Sequence, residues 1–167
     1  KEPFTGLFTQ GMVCHETYKD LDNNWLSPDE IEQKDNVYYK KGDLSSKVIV
    51  GTSESMSKSK KNVIDPENII YNYGADSVRL FILSDSPPEK DVQWSEQGMV
   101  ASYKFIQKLW ILHNKIKVKI KVSKISDITN QNLDKFTNQM IFKITNNLEN
   151  FHYNVIIANI YEIYNFL

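Results

Sequence analysis

Met56–Asn62, which reads Met-Ser-Lys-Ser-Lys-Lys-Asn, is the most informative stretch of this 167-residue chain. Serines and lysines crowd it, and Asp65-Pro66-Glu67 then begins a helix-like pattern. Proline is tolerated in the first turn of a helix because its missing N–H would be unpaired there anyway. Lysine charges, serine hydroxyls and backbone N–H groups beside a helix N-terminus favour a polyphosphate ligand. The simple alternative is a solvated surface loop, since short runs of lysine and serine are common.

Further motifs surround this stretch in a fixed order. They are Glu2-Pro3-Phe4, Leu7–Val13, Tyr73–Phe81, Ser86-Pro87-Pro88, Trp94-Ser95-Glu96 with Gly98, and Phe151, Tyr153-Asn154 and Ala158. Taken together, these motifs resemble the class I aminoacyl-tRNA synthetases, whose signature loop reads Lys-Met-Ser-Lys-Ser, and more narrowly the bacterial leucyl-tRNA synthetases. The resemblance covers most of the chain and is weakest at 19–50 and 116–130. The ordered set is specific, although each motif alone is weak.

By this resemblance, the loop stabilises the phosphates of ATP during amino-acid activation. Lys58 matches the family's second signature lysine and is the candidate catalytic residue. The ATP-binding candidates are Met56, Ser57, Lys58, Ser59 and Lys60. We expect Met56 to pack the loop against the fold, the serines to orient it, and Lys60 and Lys61 to meet phosphates of ATP or of the tRNA acceptor end. One position departs from the family, because Ser55 stands where its first signature lysine would be.

The fold implied by the resemblance is α+β to mainly α. We expect the C-terminal part of a Rossmann-type catalytic domain with its signature loop, followed by the start of an α-helical tRNA-binding bundle. The expected regions are 1–18, the end of the nucleotide-binding fold; 19–50, a small polar insertion of the leucine-specific region; 51–90, the signature loop and connecting helices; and 91–167, a truncated anticodon-binding-type bundle. The family's His-Ile-Gly-His motif is absent. We therefore expect a piece of a longer enzyme that does not activate leucine alone.

Local patterns predict short strands in the first third of the chain. Gly11–Cys14 reads as a buried strand, and Val37–Tyr39 and Lys47–Val50 read as strands joined through Lys41–Asp43. Ser27–Glu30 reads as a turn or a short helix start. The polar insertion either has a role of its own or is a plain hairpin.

Two helices are predicted next: one from about Pro66 to Tyr73 that ends at Gly74 in the left-handed conformation, and one from Ala75 to the break at Pro87-Pro88. We expect Arg79 to pair with Asp76 or to bond backbone.

Three amphipathic stripes follow and imply a helical bundle. Ser95 is the predicted N-cap of the first helix and Asn154 that of the third. The stripes are Met99, Ile106, Leu109, Trp110, His113 and Ile116; then Leu133, Phe136, Met140, Ile144 and Leu148; then Ile156, Ile157, Ile160, Ile163, Tyr164 and Leu167. We expect Trp110 to be a packing anchor and His113 a satisfied core histidine. The alternation over Ile116–Val122 favours a strand, whose lysines would be either RNA-backbone contacts or a solvated edge.

Charge and composition limit the partners. With a net charge of −1, the chain has no global field for nucleic acid, so RNA contacts must come from local patches. The tRNA-binding candidates are Lys61, Lys104, Lys108, Lys115 and Lys117. Cys14 is the single cysteine, which excludes a disulfide within the chain and a cysteine-rich zinc site. We expect Mg²⁺ to arrive with ATP, with no metal site in this chain. No apolar run is long enough to span a membrane and no secretory signal is seen.

The resemblance implies tRNA(Leu), leucine and ATP as partners of a monomeric, cytoplasmic enzyme. Two other interpretations stay open. A synthetase for valine, isoleucine or methionine would share the loop and the bundle, although Thr9–Cys14 and Trp94-Ser95-Glu96 favour leucine. A non-catalytic RNA-binding or assembly subunit of a split synthetase would also lack the upstream motif.

Overall fold

The computed structural model describes residues 3–122 and 130–167, so Glu2 of the first motif lies outside the described residues. The chain forms two compact units. One contains the residues up to Ile69 together with Glu89–Trp94, and the other contains Ile70–Pro88 together with Ser95–Leu167. The first unit holds short strands and the second holds helices, so the described chain is a mixed α/β structure.

The first unit carries a three-stranded sheet with β1 at its centre. Its strands are β1 (Val13–His15), β8 (Glu54–Ser55) and β9 (Val92–Gln93). β8 pairs with β1 antiparallel and β9 pairs with it parallel. The predicted strand at Gly11–Cys14 is present but starts two residues later. Met12 is exposed and gives its N–H to the Asp91 carboxylate (2.8 Å), so it precedes the strand instead of entering it.

Two further sheets are antiparallel. One has the order β3-β2-β7, with β2 (Tyr18–Lys19), β3 (Trp25–Leu26) and β7 (Ile49–Val50); the other has the order β4-β5-β6, with β4 (Ile31–Lys34), β5 (Val37–Lys40) and β6 (Asp43–Lys47). Tyr18, Leu26 and Val48 form the small core of this region. The predicted strand at Val37–Tyr39 is confirmed, and so is the turn that follows it.

The predicted single strand at Lys47–Val50 is wrong, because two strands meet there. β6 ends at Lys47, β7 begins at Ile49, and Val48 lies buried between them. The Val48 N–H donates to the Tyr38 carbonyl (2.9 Å), so the chain passes from one sheet to the other at this residue. Apolar pattern alone cannot show such a crossing, since both strands are short and Val48-Ile49-Val50 is one continuous apolar run.

The predicted helices around Gly74 are confirmed. They are α1 (Pro66–Tyr73) and α2 (Ala75–Asp85). Gly74 has a positive φ of 79°, but its ψ of 152° lies outside the left-handed helical region, so that part of the prediction is wrong. Arg79 pairs with Asp76 at 2.9 Å, as expected.

Three longer helices complete the second unit: α3 (Glu96–Val122), α4 (Gln131–Glu149) and α5 (Tyr153–Phe166). Leu80, Phe105 and Ile157 form the core where α2, α3 and α5 meet. The predicted cap of α3 is confirmed, since the Ser95 hydroxyl accepts the Gly98 N–H (3.2 Å). No helix among residues 3–122 and 130–167 combines the length and hydropathy needed to cross a bilayer.

Four predictions about these helices are wrong. Residues 116–122 continue α3 instead of forming a strand, because the described side chains in that turn are all exposed and no lysine has to be buried. Trp110 is 68% exposed and His113 is exposed beside it, while Phe105 (4%) provides the anchor. Asn154 lies inside α5, which begins at Tyr153 after its cap at His152.

Candidate functional site

The Lys/Ser-rich stretch forms a tight turn directly after β8. A single turn of 3₁₀ helix covers Lys58–Lys60, with the Lys60 N–H donating to the Ser57 carbonyl and the Lys61 N–H to the Lys58 carbonyl (3.2 and 3.3 Å). Lys61 has a positive φ of 55°, which reverses the chain. Residues 57–62 are called the signature loop below. Its position beside β1 and β8 follows from the antiparallel pairing of Cys14 with Ser55 and of His15 with Glu54.

The three lysines of the signature loop have different environments. Lys60 is paired with the Glu54 carboxylate, and Lys61 lies 3.4 Å from the Glu30 carboxylate. Lys58 is exposed and has no ion pair within the described residues. An unpaired, exposed ammonium on a short turn is available to a phosphate, whereas a paired lysine must first exchange its partner. The geometry therefore favours Lys58 as the first phosphate contact.

Hydrogen bonds from lysine and serine set the charge state of the two acidic partners. The hydrogen bond from Lys60 holds the pKa of Glu54 below its usual value. The Ser27 backbone N–H, at 2.8 Å, lowers the pKa of Glu30, with the Ser27 hydroxyl and Lys61 adding to it. Glu30 ends the 3₁₀ turn Pro28–Glu30, as the Ser27–Glu30 motif predicts. Both acids are thus ionised at neutral pH and hold their lysines in place.

The remaining candidates shape the signature loop. Met56 is half-buried and its N–H donates to the Val13 carbonyl (3.2 Å), which fits the expected packing role. The Ser57 and Ser59 hydroxyls lie 2.7 Å apart and share a hydrogen bond. Ser55, at the position of the family's first signature lysine, is exposed on β8.

The N-terminus of α1 contributes less than the sequence suggests. The Asp65 carboxylate accepts the Glu67 N–H (3.0 Å), and Glu67 adds a second acid in the first turn. These two negative charges already complement the helix dipole. A phosphate at the signature loop would therefore be bound by the lysines and the loop backbone.

Asn62 is the site residue that sequence reasoning missed. Its side chain is fully buried, at 0% exposure, and it bonds the loop to both neighbouring strands. The only signal in the sequence is an amide residue immediately after the run of lysines, and an amide at such a place is ordinarily solvated.

The candidate tRNA-binding lysines of α3 do not all share a face. All four are exposed. At about 100° per residue, Lys104, Lys108 and Lys115 lie within about 40° of one another, and Lys119 extends this row to about 60°. Lys117 lies about 140° to 180° round the axis from those three. The structure thus brings three of the four together and separates Lys117 from them.

A resident metal centre has no support in the described part of the chain. Residues 3–122 and 130–167 contain no group of three or more His, Cys, Asp or Glu side chains placed to hold an ion. Cys14 is buried in β1 as a free thiol.

Known proteins are similar to this chain along its length. The family described as "tRNA synthetases class I (I, L, M and V)" matches residues 30–95. A leucine–tRNA ligase of Rhizorhabdus wittichii is 45% identical over 99% of the chain, and one of Rickettsia canadensis is 46% identical over 99%. A solved structure of Agrobacterium radiobacter K84 LeuRS, a ternary complex with tRNA and LeuAMS, matches 67% of the chain with a TM-score of 0.58 and 28% identity.

The chain spans only a small part of these relatives. It corresponds to 18% and 19% of the length of the two ligases and to 15% of the solved chain.

Proposed function

The chain belongs to the leucyl-tRNA synthetases of class I, and from this premise we propose that the protein carrying it attaches leucine to tRNA(Leu) in an ATP-dependent reaction. The observation that carries the proposal is the signature loop: three lysines on one tight turn, one of them exposed and unpaired within the described residues. Such a turn suits the triphosphate of a nucleotide.

In the activation step, a leucine carboxylate oxygen bonds to the α-phosphorus of ATP while the bond from that phosphorus to the bridging oxygen breaks. Negative charge then accumulates on the departing pyrophosphate. A lysine placed where charge develops stabilises the transition state more than the ground state. Lys58 has this role in our proposal, and Mg²⁺ enters with ATP as part of the substrate.

Lys60 and Lys61 bind phosphate later in the same activation step, after each has left its carboxylate partner. Each is held by a carboxylate, and ion pairs this accessible to solvent add little to stability. A polyphosphate carries more charge than one carboxylate, so exchange of partners is easy. Ser57 and Ser59 orient the turn, and Gly51 with Thr52-Ser53 supplies the flexible approach that lets the loop open and close.

We propose regional roles as well. The strand-rich part is the end of a Rossmann-type catalytic domain, with 1–18 as its last strands, 19–50 as a leucine-specific insertion, and 51–90 as the signature loop and connecting helices. The helices of 91–167 begin a tRNA-binding bundle. The sheet β4-β5-β6 lies within 19–50 and supports the insertion, whereas the core of Leu80, Phe105 and Ile157 joins α2 to the helices of 91–167. Monomeric state and cytoplasmic location remain predictions.

Amino-acid-dependent ATP–pyrophosphate exchange by the complete gene product tests the function. We expect exchange with leucine and none above background with valine, isoleucine or methionine. Exchange with one of the other three would assign a different synthetase. No exchange with any of them would favour a non-catalytic RNA-binding module.

A further inference from the structure

The side chain of Asn62 fastens the signature loop at both ends. Its Oδ1 accepts the Ser57 N–H at 2.8 Å, which closes the loop between its first and last residues. Its Nδ2 donates to the His15 and Glu54 carbonyls, each at 3.2 Å. These two residues are register partners on β1 and β8, so a single amide nitrogen bridges one rung of the sheet.

The chemistry of these contacts requires an amide. Both N–H donors and the carbonyl acceptor of Asn62 are used, and the side chain is shielded completely from water. The two backbone carbonyls can face only the nitrogen, and the Ser57 N–H can face only the oxygen. Aspartate has the same shape but no donor, and it would place a carboxylate against two carbonyl oxygens.

The bonds of Asn62 determine where Lys58 stands. The turn Lys58–Lys60 lies between the two residues that this amide joins, and the left-handed conformation of Lys61 returns the chain to it. Lys58 itself is exposed and unpaired within the described residues, so nothing near its own ammonium group fixes its location. Its placement therefore depends on the closed backbone of the loop.

We propose that Asn62 is a positioning residue for the activation step: it holds the signature loop closed against β1 and β8, so that Lys58 meets the phosphates of ATP. This inference rests on the proposed function. The amide acts through Lys58 and does not touch the substrate. Binding of leucine does not depend on it.

The test compares Asn62→Asp with Asn68→Asp in the complete gene product. Asn68 is exposed on α1, so the control makes the same chemical change outside the loop. We expect Asn62→Asp to lower kcat for leucine-dependent exchange about 10- to 100-fold, the scale of a misplacement near 1 Å. The KM for leucine should stay within about twofold, as expected when only a transition-state interaction is removed. Asn68→Asp should behave as wild type.

A merely structural role makes a different prediction. It lowers the thermal midpoint but leaves kcat per folded molecule unchanged, and that result would overturn the proposal. Should Asn62→Asp not fold, hydrogen exchange on the wild-type protein decides. The Ser57 amide should exchange slowly, whereas exchange at the rate of an unstructured peptide overturns the inference.

The role of Asn62 and the proposed function can be refuted separately. An active wild type with an unaltered Asn62→Asp variant removes only the role of Asn62. A wild type without leucine-dependent exchange removes the proposed function and this inference with it.

Discussion

Lys58, Lys60 and Lys61 are chemically alike but differ in what they must give up to bind a phosphate. Lys60 and Lys61 leave carboxylates, and Lys58 leaves only water. Sequence motifs identify all three as candidates. They cannot separate them, because Glu54 and Glu30 are six and 31 residues distant from their partners along the chain. Asn62 escapes sequence reasoning for the same reason, since its role comes from strands that fold around it.

Lys58→Ala should lower the rate of leucine-dependent ATP–pyrophosphate exchange about 10²- to 10³-fold, the effect of removing one donor that stabilises developing charge. The KM for leucine should change little. Lys34→Ala, at an exposed position of β4, is the matched control and should be neutral. An unchanged rate in Lys58→Ala would contradict the catalytic role assigned here.

The hydrogen bonds of Asp43 predict that the β5–β6 hairpin becomes less stable at low pH. Hydrogen bonds from the Ser45 and Ser46 hydroxyls, at 2.5 and 2.7 Å, and from the Ser45 N–H lower the pKa of Asp43 from 3.8 to about 2. A lowered pKa in the folded state gives stability that is present above pH 3.8 and is lost as the pH falls toward 2.

Asp43→Asn should remove this part of the pH dependence. The test is urea unfolding of the wild type and of Asp43→Asn at a series of pH values from about 5 down to about 2. Asp22→Asn is the exposed control. Wild-type and Asp43→Asn curves that run parallel through this window would show that the serine contacts do not stabilise the ionised carboxylate.

Among the elements, helices were the more predictable. α1 and α2 have local signals in Pro66, Gly74 and Pro87-Pro88, and the structure follows them closely. The transition at Val48 and the helical run at 116–122 were predicted wrongly, because the first depends on a distant strand and the second on the absence of a covering neighbour. The wrong prediction for Trp110 has a similar cause. Helical spacing shows which side of the helix Trp110 lies on, but not whether a neighbouring helix reaches far enough along to cover it.

Gly98→Ala should destabilise the packing of α2 against α3. A methyl group at Gly98 would come within 2.7 Å of the Phe81 ring, which is only 3% exposed. Overpacking of this kind costs about 1–3 kcal/mol, more than the roughly 0.5–1 kcal/mol that alanine gains over glycine in a helix. The urea midpoint should fall for Gly98→Ala and stay the same for Gly6→Ala, where the added methyl meets nothing. A raised midpoint for Gly98→Ala would show that the ring can yield.

For the whole molecule, the near-neutral charge means that any RNA affinity is local. The exposed row formed by Lys104, Lys108 and Lys115 on α3 is the place where we propose that the tRNA backbone lies. Glutamate at these three positions should weaken tRNA(Leu) binding. It should also lower the slope of log affinity against log salt by about one for each phosphate that a lysine no longer neutralises.

Lys117→Glu is the matched control, because it makes the same charge change about half a turn round the helix. Filter binding across a salt series measures both quantities. If Lys117→Glu weakens binding as much as the three-lysine variant, the RNA contact involves the whole end of α3 and not this row.

The position of Cys14 makes the signature loop observable by simple chemistry. Its thiol is buried, and Cys14 on β1 pairs in register with Ser55 of β8, the strand that precedes the loop. A buried thiol reacts with an alkylating reagent only while the structure around it opens locally, so labelling of Cys14 reports opening of the region around β1 and β8. The rate of labelling therefore measures how often this region opens. Saturating nucleotide should slow the labelling, because it keeps the loop closed.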